Sequence, residues 1–432
     1  MRMKRMGAKT KHSKSNEEFL SQEILFQASQ LKRHAAGIYG FGNFLVRARN
    51  KIIEIIRRNL ESFGSCEVSL PILQPKFLWE DSGRWDVYNN NKLMFNFAGR
   101  NGEYCLAPTG EEIVLDFAKD NIVSYKDLPI NIFQIGNKYR DEIRVRGGIL
   151  RSKEFLMKDA YSFHATFEDM AFEYENMKKC YFKIFSDLDM TVVSVKALNG
   201  DIGGKVSEEF MCLSSIGEDK ILVNSDFSIA LNEEVLQDEK LAKEVENVSN
   251  GINLKDFKSV SCLELGHIFQ LGQFYSKKMN GLFVDRDGVK KPYFMGCYGI
   301  GINRVLGAIC ENNCDEEGLV WPKAVSPYSC AIVYSSENEK AAEDLYIYLQ
   351  QKNVEVSLND REESFGSKIK DCKLLGFPFI IILGSRFLED GLFEVEKRKG
   401  SEKMFLKKEE LVNLLTSWVY LVIKKAKYYF IT

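Results

Sequence analysis

The sequence predicts an α+β chain of more than one domain, and three observations carry that reading. Apolar residues recur at helical spacing across long windows such as 44–63 and 166–185. Ile130-Asn131-Ile132-Phe133-Gln134-Ile135 alternates with a period of two, and beyond a loop with two adjacent glycines a second apolar segment runs from Glu154 to Ala160 as its return. After Trp321-Pro322 the pattern becomes strand, helix, strand, helix, strand, which implies a small mixed sheet with helical crossovers.

Taken in order, residues 1–16 read as a disordered basic arm. From Glu17 the pattern turns helical through Phe19, Leu20, Ile24, Leu25 and Leu31, and Phe44 to Phe63 forms a second helix stopped by Gly64. Val68 to Leu73 reads as a short strand; Pro71 cannot donate a ladder hydrogen bond, so this strand belongs at an edge or an interface. Leu128 to Arg144 and Glu154 to Ala160 follow as strands, Thr166 to Phe185 as a helix, and Lys220 to Val223 as a strand. Residues 224–253 are acidic and poor in aromatics, too short for a domain of their own. In the C-terminal part, strands are expected at Cys330–Tyr334, Val354–Leu358 and Phe379–Leu383, with helices at Glu337–Gln351 and Ser367–Leu375.

Composition narrows the function classes. At 432 residues the chain holds two or three domains with sizeable cores, and 45% hydrophobic with 28% charged residues is ordinary for a soluble globular protein. A net charge of −2 excludes coating of nucleic acid by bulk charge, so RNA contacts must come from local basic patches. The ten cysteines contain no CxxC pair, and Cys310 and Cys314 lack a second pair, so no zinc site is expected. Unpatterned thiols suit a reducing cytoplasm. The basic segment 1–15 lacks a following apolar run, so it does not read as a secretory signal; an organelle-targeting peptide is the weaker alternative. No run of about 18 apolar residues is present, so no membrane span is expected.

The chemistry concentrates in Tyr139-Arg140-Asp141-Glu142-Ile143-Arg144 and Arg146-Gly147-Gly148-Ile149-Leu150-Arg151-Ser152-Lys153-Glu154-Phe155. Four arginines crowd one hairpin-like turn. Guanidinium groups bind phosphate bidentately and keep their charge, so a polyphosphate or nucleic-acid site competes here with a solvated charged hairpin. A second glycine–arginine segment stands far downstream, Gly296-Cys297-Tyr298-Gly299-Ile300-Gly301-Ile302-Asn303-Arg304.

Together these segments resemble motifs 2 and 3 of class II aminoacyl-tRNA synthetases. Ser69-Leu70-Pro71-Ile72-Leu73-Gln74-Pro75 with Leu78-Trp79-Glu80-Asp81-Ser82-Gly83-Arg84-Trp85 resembles motif 1 of the prolyl enzymes. Ala107-Pro108-Thr109-Gly110-Glu111-Glu112 is similar to their proline-binding loop, and Gly266-His267-Ile268-Phe269-Gln270-Leu271-Gly272 and Gly318-Leu319-Val320-Trp321-Pro322 fit the bacterial type. The resemblance covers about Ala35 to Leu415.

It implies a class II catalytic domain, an antiparallel sheet flanked by helices, over 17–223 and 254–325, and a small α/β anticodon-binding domain over 326–432. Residues 224–253 would be a short connector where many bacterial members carry an editing domain, so that alanyl-tRNA would either be cleared by a separate trans-editing protein or be tolerated. The implied activity is formation of prolyl-adenylate from L-proline and ATP, with Mg2+, and transfer to tRNA(Pro) by a homodimer that meets around Pro71. Arg140 would meet the α-phosphate and the amino-acid carboxylate, and Arg304 the γ-phosphate. Glu142, Arg151 and Phe155 would bind nucleotide, Phe155 packing on adenine. Glu264 would contact nucleotide or Mg2+. Thr109 and Glu111 would hold the secondary ammonium of proline, with His267 and Phe269 walling its ring. An N-cap followed by an acidic first turn is the plain alternative for Thr109-Gly110-Glu111. Cys297 would pack at the pocket floor rather than react. Arg144, Arg146, Asp360, Arg361 and Lys368 are the expected tRNA contacts. Two rivals remain: a threonyl or seryl synthetase of the same fold, and a non-enzymatic paralogue that binds amino acid or tRNA.

Overall fold

Strand β1 (Cys66–Glu67), β2 (Ile130–Tyr139), β3 (Glu154–His164), β4 (Val192–Lys196), β5 (Val206–Leu213), β6 (Asp219–Val223), β7 (Ala230–Asn232), β8 (Lys258–Gly272) and β9 (Phe294–Gly301) make the main sheet of the protein, seen in a computed structural model. The structure describes residues 1–6, 10–11, 17–197, 202–204, 206–224, 230–233 and 257–427, with side chains to residue 418. The order is β7-β6-β8-β9-β3-β2-β1, with β5 pairing β8 and β4 pairing β5. Every pair is antiparallel except β1 with β2. The alternation at 130–135 therefore does become a strand, with Ile132 and Phe133 buried. A smaller sheet joins Leu73–Pro75, Phe95–Gly99 and Gly102–Leu106.

Helices frame these sheets: α1 (Lys76–Ser82), α2 (Trp85–Asn90), α3 (Glu111–Lys119), α4 (Phe167–Asp187), α5 (Phe274–Lys278) and α6 (Ile302–Asn312). Helix α4 starts where Thr166 accepts a hydrogen bond from the Asp169 N–H, a side-chain cap on the first turn. One core gathers Leu78, Trp79, Val114, Leu115, Tyr161, Phe163, Phe269, Tyr275, Tyr293 and Cys297 beneath the sheet.

The chain divides into two units, one holding 36–38 and 53–308, the other 1–35, 39–52 and 309–432. In the second, β10 (Cys330–Tyr334), β11 (Val356–Leu358), β12 (Phe379–Leu383), β13 (Phe393–Lys397) and β14 (Lys403–Leu406) run in the order β11-β10-β12-β13-β14. Strand β10 is parallel to β11 and β12, and the last two strands turn back antiparallel. Helices α7 (Glu339–Gln351) and α8 (Phe365–Leu375) supply the expected crossovers, and every residue of β10 and β12 is buried.

Five expectations differ from the structure. Residues 68–72 do not form a continuous strand: ladder pairing covers Cys66–Glu67 and Leu73–Pro75, only single bonds follow at Val68 (N–H to the Phe133 carbonyl, 2.8 Å) and Ile72 (carbonyl from the Ala107 N–H, 3.0 Å), and Pro71 between them has no N–H to give. The N-terminal helix covers only Leu20–Gln27, because Ser29 takes a left-handed φ of 52° and Leu31 opens a strand to Ala35. Residues 1–6 are not a loose arm. Met3 is buried beside Ala28, Phe44, Tyr328 and Phe377, Arg2 pairs with Glu343 at 2.6 Å, and Leu358 N–H donates to the Met1 carbonyl at 2.8 Å. Residues 1–35 and 39–52 group with 309–432 in one unit, whereas the sequence places 17–52 with the catalytic domain. Finally, Asp360, Arg361 and Lys368 do not present charge on one open face. Asp360 accepts from the Lys4 N–H at 2.7 Å, Arg361 is buried against Asp371 at 2.9 Å, and Lys368 is buried with its ammonium 4.8 Å from the Tyr334 ring centre. The connector expected at 224–253 lies outside the described residues except for 224 and 230–233, where β7 pairs with β6.

Candidate active site

Sheet register builds the floor of the site. Gln134 stands opposite Asp159, Asp159 opposite Gly299, Gly299 opposite His267, and His267 opposite Glu209, one row across five strands. The row beside it runs Ile132, Tyr161, Cys297, Phe269, Ser207. Residues two apart on a strand share a face, so Phe155, Met157, Asp159 and Tyr161 of β3 line one cavity with Cys297, Gly299 and Gly301 of β9. That cavity measures about 180 Å³ and also takes in Thr109, Glu111, Arg140, Glu142, Arg151, Glu264, His267, Phe269, Asn303 and Arg304. All ten residues expected at the nucleotide and amino-acid sites thus meet in one place: Thr109, Glu111, Arg140, Glu142, Arg151, Phe155, Glu264, His267, Phe269 and Arg304.

At one end sits a carboxylate. Glu111 is fully buried; its Oε2 accepts from the Thr109 hydroxyl at 2.6 Å and Arg84 Nη1 at 3.1 Å, and its Oε1 from the Cys297 thiol at 3.3 Å. Burial opposes its charge, but Arg84, Thr109 and Cys297 hold the carboxyl below its usual range. The N-cap alternative for Thr109 fails, because Gly110 takes that position without a side-chain cap and Thr109 bonds to Glu111 instead. Burial and the Glu111 charge push the Cys297 thiol well up, so it is a donor in the wall and not a nucleophile. The Gly110 N–H donates to Tyr161 Oη at 3.1 Å, and Tyr161 in turn donates to Asp159 at 3.0 Å. Asp159 also accepts from Gln134 at 2.9 Å and pairs with Lys138 at 2.8 Å, so the sheet fixes the loop.

The same cavity is lined by cations. Arg140 Nε donates to the Pro108 carbonyl at 3.2 Å, and its guanidinium lies 5.3 Å from the Phe155 ring centre. Arg304 donates to Glu264 Oε2 at 2.8 Å and to the Leu150 carbonyl at 3.3 Å. Arg151 bridges Glu142 at 3.0 Å and Glu218 at 3.1 Å. The loop between β2 and β3 is the expected hairpin: Arg146 bridges to Arg151, and Gly147 and Gly148 both take φ of 59°, the left-handed conformation that favours glycine. Arg144 and Arg146 are exposed on it.

His267 stacks on Phe269 with ring centres 3.9 Å apart, and its Nδ1 lies 3.3 Å from Glu264 and 3.6 Å from Glu209. Burial opposes the Glu264 charge, yet His267 and Arg304 hold its carboxyl at about 2. Glu209, Glu264 and His267 offer ligand atoms within 4.8 Å of one another, the one such group among the described residues. Two carboxylates at that spacing suit a hard cation that prefers oxygen.

Sequence reasoning did not assign roles to Arg84, Glu112, Asp159, Tyr161 or Glu209. The adjacent Glu111-Glu112 pair was a visible signal, since two acids in one first turn face different neighbours; the others depend on pairing across strands.

Comparison with known proteins agrees with this geometry. Residues 95–313 match the family model for the tRNA synthetase class II core domain (G, H, P, S and T), and residues 329–418 match the anticodon binding domain. Proline--tRNA ligase of Sulfurimonas denitrificans is 37% identical over 410 residues, 91% of this chain and 94% of the relative. That of Ehrlichia chaffeensis is 36% identical over 416 residues, 94% and 97% of the two chains. Among solved structures, prolyl-tRNA synthetase from Cryptosporidium parvum complexed with halofuginone and AMPPNP superposes with a TM-score of 0.73 at 19% identity, over 94% of this chain and 79% of the other. The fold, the site and these relatives agree, and the chain belongs to the proline–tRNA ligase family of class II synthetases.

Proposed function

We infer that the protein is a proline–tRNA ligase: it activates L-proline with ATP and passes the prolyl group to the 3′ end of tRNA(Pro). The observation that carries this reading is one cavity lined by a buried Glu111 held in its charged form together with Arg140 and Arg304. A secondary ammonium needs acceptors, which Glu111 and Thr109 supply; the pyrrolidine ring needs an apolar wall, which Phe269 and the stacked His267 supply. Attack of the proline carboxylate on the α-phosphorus needs alignment and neutralised charge more than covalent help. Arg140 serves the carboxylate and α-phosphate, and Arg304 the γ-phosphate. Phe155 packs on adenine, while Arg151 exchanges Glu142 and Glu218 for nucleotide phosphate. Glu264 and Glu209 would hold Mg2+, which neutralises polyphosphate charge when bound.

Residues 326–432 are assigned to the anticodon, and Arg144 and Arg146 on the exposed loop to the acceptor stem. A homodimer through the segment around Pro71 suits the exposed Leu73 and Phe77, apolar groups beside short strands. Ten free thiols suit the cytoplasm, and among the described residues no helix is long and apolar enough to cross a membrane. Alanyl-tRNA is either cleared by another protein or tolerated.

ATP–pyrophosphate exchange across the amino acids tests the reading. Exchange should depend on proline and fall by ~10²–10³ in folded Arg140→Ala and Arg304→Ala variants. Near-normal exchange in folded Arg140→Ala, or exchange driven by threonine or serine instead, defeats it.

A further inference from the structure

Behind the amino-acid end of the cavity lies a charge arrangement that the reaction above does not use. Glu111 and Glu112 are neighbours in the first turn of α3 and both are fully buried. One guanidinium serves both. Arg84 Nη1 is 3.1 Å from Glu111 Oε2 and 2.9 Å from Glu112 Oε1, and the Arg84 side chain is only 3% exposed. Its other face is closed by the rings of Trp79, Tyr88 and Tyr275, with centres 5.2, 4.6 and 5.3 Å from the guanidinium carbon. Glu112 also accepts from the Ser82 hydroxyl at 2.8 Å. Glu111 lines the cavity; Glu112 and Arg84 do not.

The charges do not balance if both carboxyls are ionised. Two anions would share one cation among side chains at most 3% exposed, and such pairs keep a proton on one member. Glu111 has three donors for its charged form, so the proton falls to Glu112. When a substrate ammonium docks on Glu111, the group holds two cations, and two anions then match them.

We propose that Glu112 is the proton reservoir of the amino-acid pocket: it is protonated when the pocket is empty and releases its proton to solvent when the ammonium of proline docks on Glu111. This rests on the assignment of Glu111 to that ammonium. The O–H bond of Glu112 breaks, the proton passes to the buffer, and the substrate keeps its own protons. Glu112 and Arg84 are positioning residues, since neither touches substrate. The groups facing Glu112 support the direction. Arg84 favours its charged form, while Glu111 on its own helix opposes it; Tyr88 of α2, Cys105 of the small sheet and Tyr275 of α5 are neutral, and Lys278 of α5 is tied to the Ser82 carbonyl at 2.9 Å. Burial and the Glu111 charge together raise the Glu112 carboxyl above its usual range.

Calorimetric titration of the full-length protein with L-proline, in buffers of different ionisation enthalpy between about pH 5 and 8, reads the released proton directly. Wild type should release up to about one proton per site at acid pH, and its Kd should fall by up to about tenfold per pH unit on that limb, then level off. Glu112→Gln should bind proline with no linked proton and a flat Kd. Ser82→Ala, which removes a donor to the ionised form, should move the limb up by about half to one pH unit, and it serves if Glu112→Gln does not fold. Buffer-independent heats with a flat wild-type Kd overturn the proposal, as does a limb that persists in Glu112→Gln or is unmoved by Ser82→Ala. If Glu111→Gln binds proline as tightly as wild type, it is the ammonium assignment itself that falls.

Discussion

Lys158 is buried to its tip in β3, where its ammonium donates to Tyr181 Oη at 2.6 Å and to the Tyr298 carbonyl at 3.0 Å. No carboxylate is among those partners, and burial pushes the amine down to about 7 from an ordinary 10.5. In the unfolded chain the amine keeps its proton until about pH 10, so between pH 7 and 10 the unfolded state binds more protons and stability rises with pH. The penalty is complete below pH 7 and is relieved above it. Wild type should therefore gain on Lys158→Met by on the order of 2 kcal/mol between pH 7 and pH 9; a constant difference between their unfolding free energies across that range would show that the amine titrates normally. Residues of this kind mark what a sequence reveals at this scale. Thr109, Glu111, Arg140 and Arg304 were legible because their chemistry is local to a motif. Nothing in the sequence singles out Lys158 or Asp159, and Arg84 stands there only within a motif resemblance, because only packing and strand pairing bring their charges inside.

Strand register makes the cavity, and the loop between β2 and β3 completes it. Arg304 reaches the Leu150 carbonyl, and Leu150 N–H is held by the Gly147 carbonyl at 3.1 Å, so the turn also fixes an arginine from another segment. Each non-glycine residue in the left-handed conformation costs ~1–2 kcal/mol. Replacing both Gly147 and Gly148 by alanine should shift the turn away from its closed form and raise KM for ATP about tenfold or more, with the melting temperature nearly unchanged; an unaltered KM would remove the turn from nucleotide binding. Strands with clean alternation, such as β2, and fully apolar ones, such as β12, were legible. The segment 68–72 differs from its expectation because β-branched and apolar residues beside a proline also suit an extended stretch without a full ladder. The short helix 20–27 was over-extended because the left-handed turn at Ser29 carries no glycine to announce it.

Each of the two units has its own core, and the chain's first residues belong to the second. Met3 lies in a cluster with Ala28, Phe44, Tyr328, Ala331, Cys372, Leu375 and Phe377, beside a sheet whose first strand begins at Cys330. Composition could not foretell this: six residues rich in Lys, Arg and Met look solvated until a hydrophobic gap beside β10 and β12 receives Met3. The same segment engages Asp360, which accepts from the Lys4 N–H. Met3→Asp would bury an unpaired carboxylate, at a cost on the order of 3–4 kcal/mol. The core that supports the cavity, from Leu78 to Cys297, contains none of the Met3 neighbours. Charging of tRNA(Pro) by Met3→Asp should therefore fail at a lower temperature than proline-dependent pyrophosphate exchange, whereas the two fail together in wild type or separate less. Parallel loss of both activities in Met3→Asp, at every temperature, would mean that the cavity depends on the C-terminal core after all.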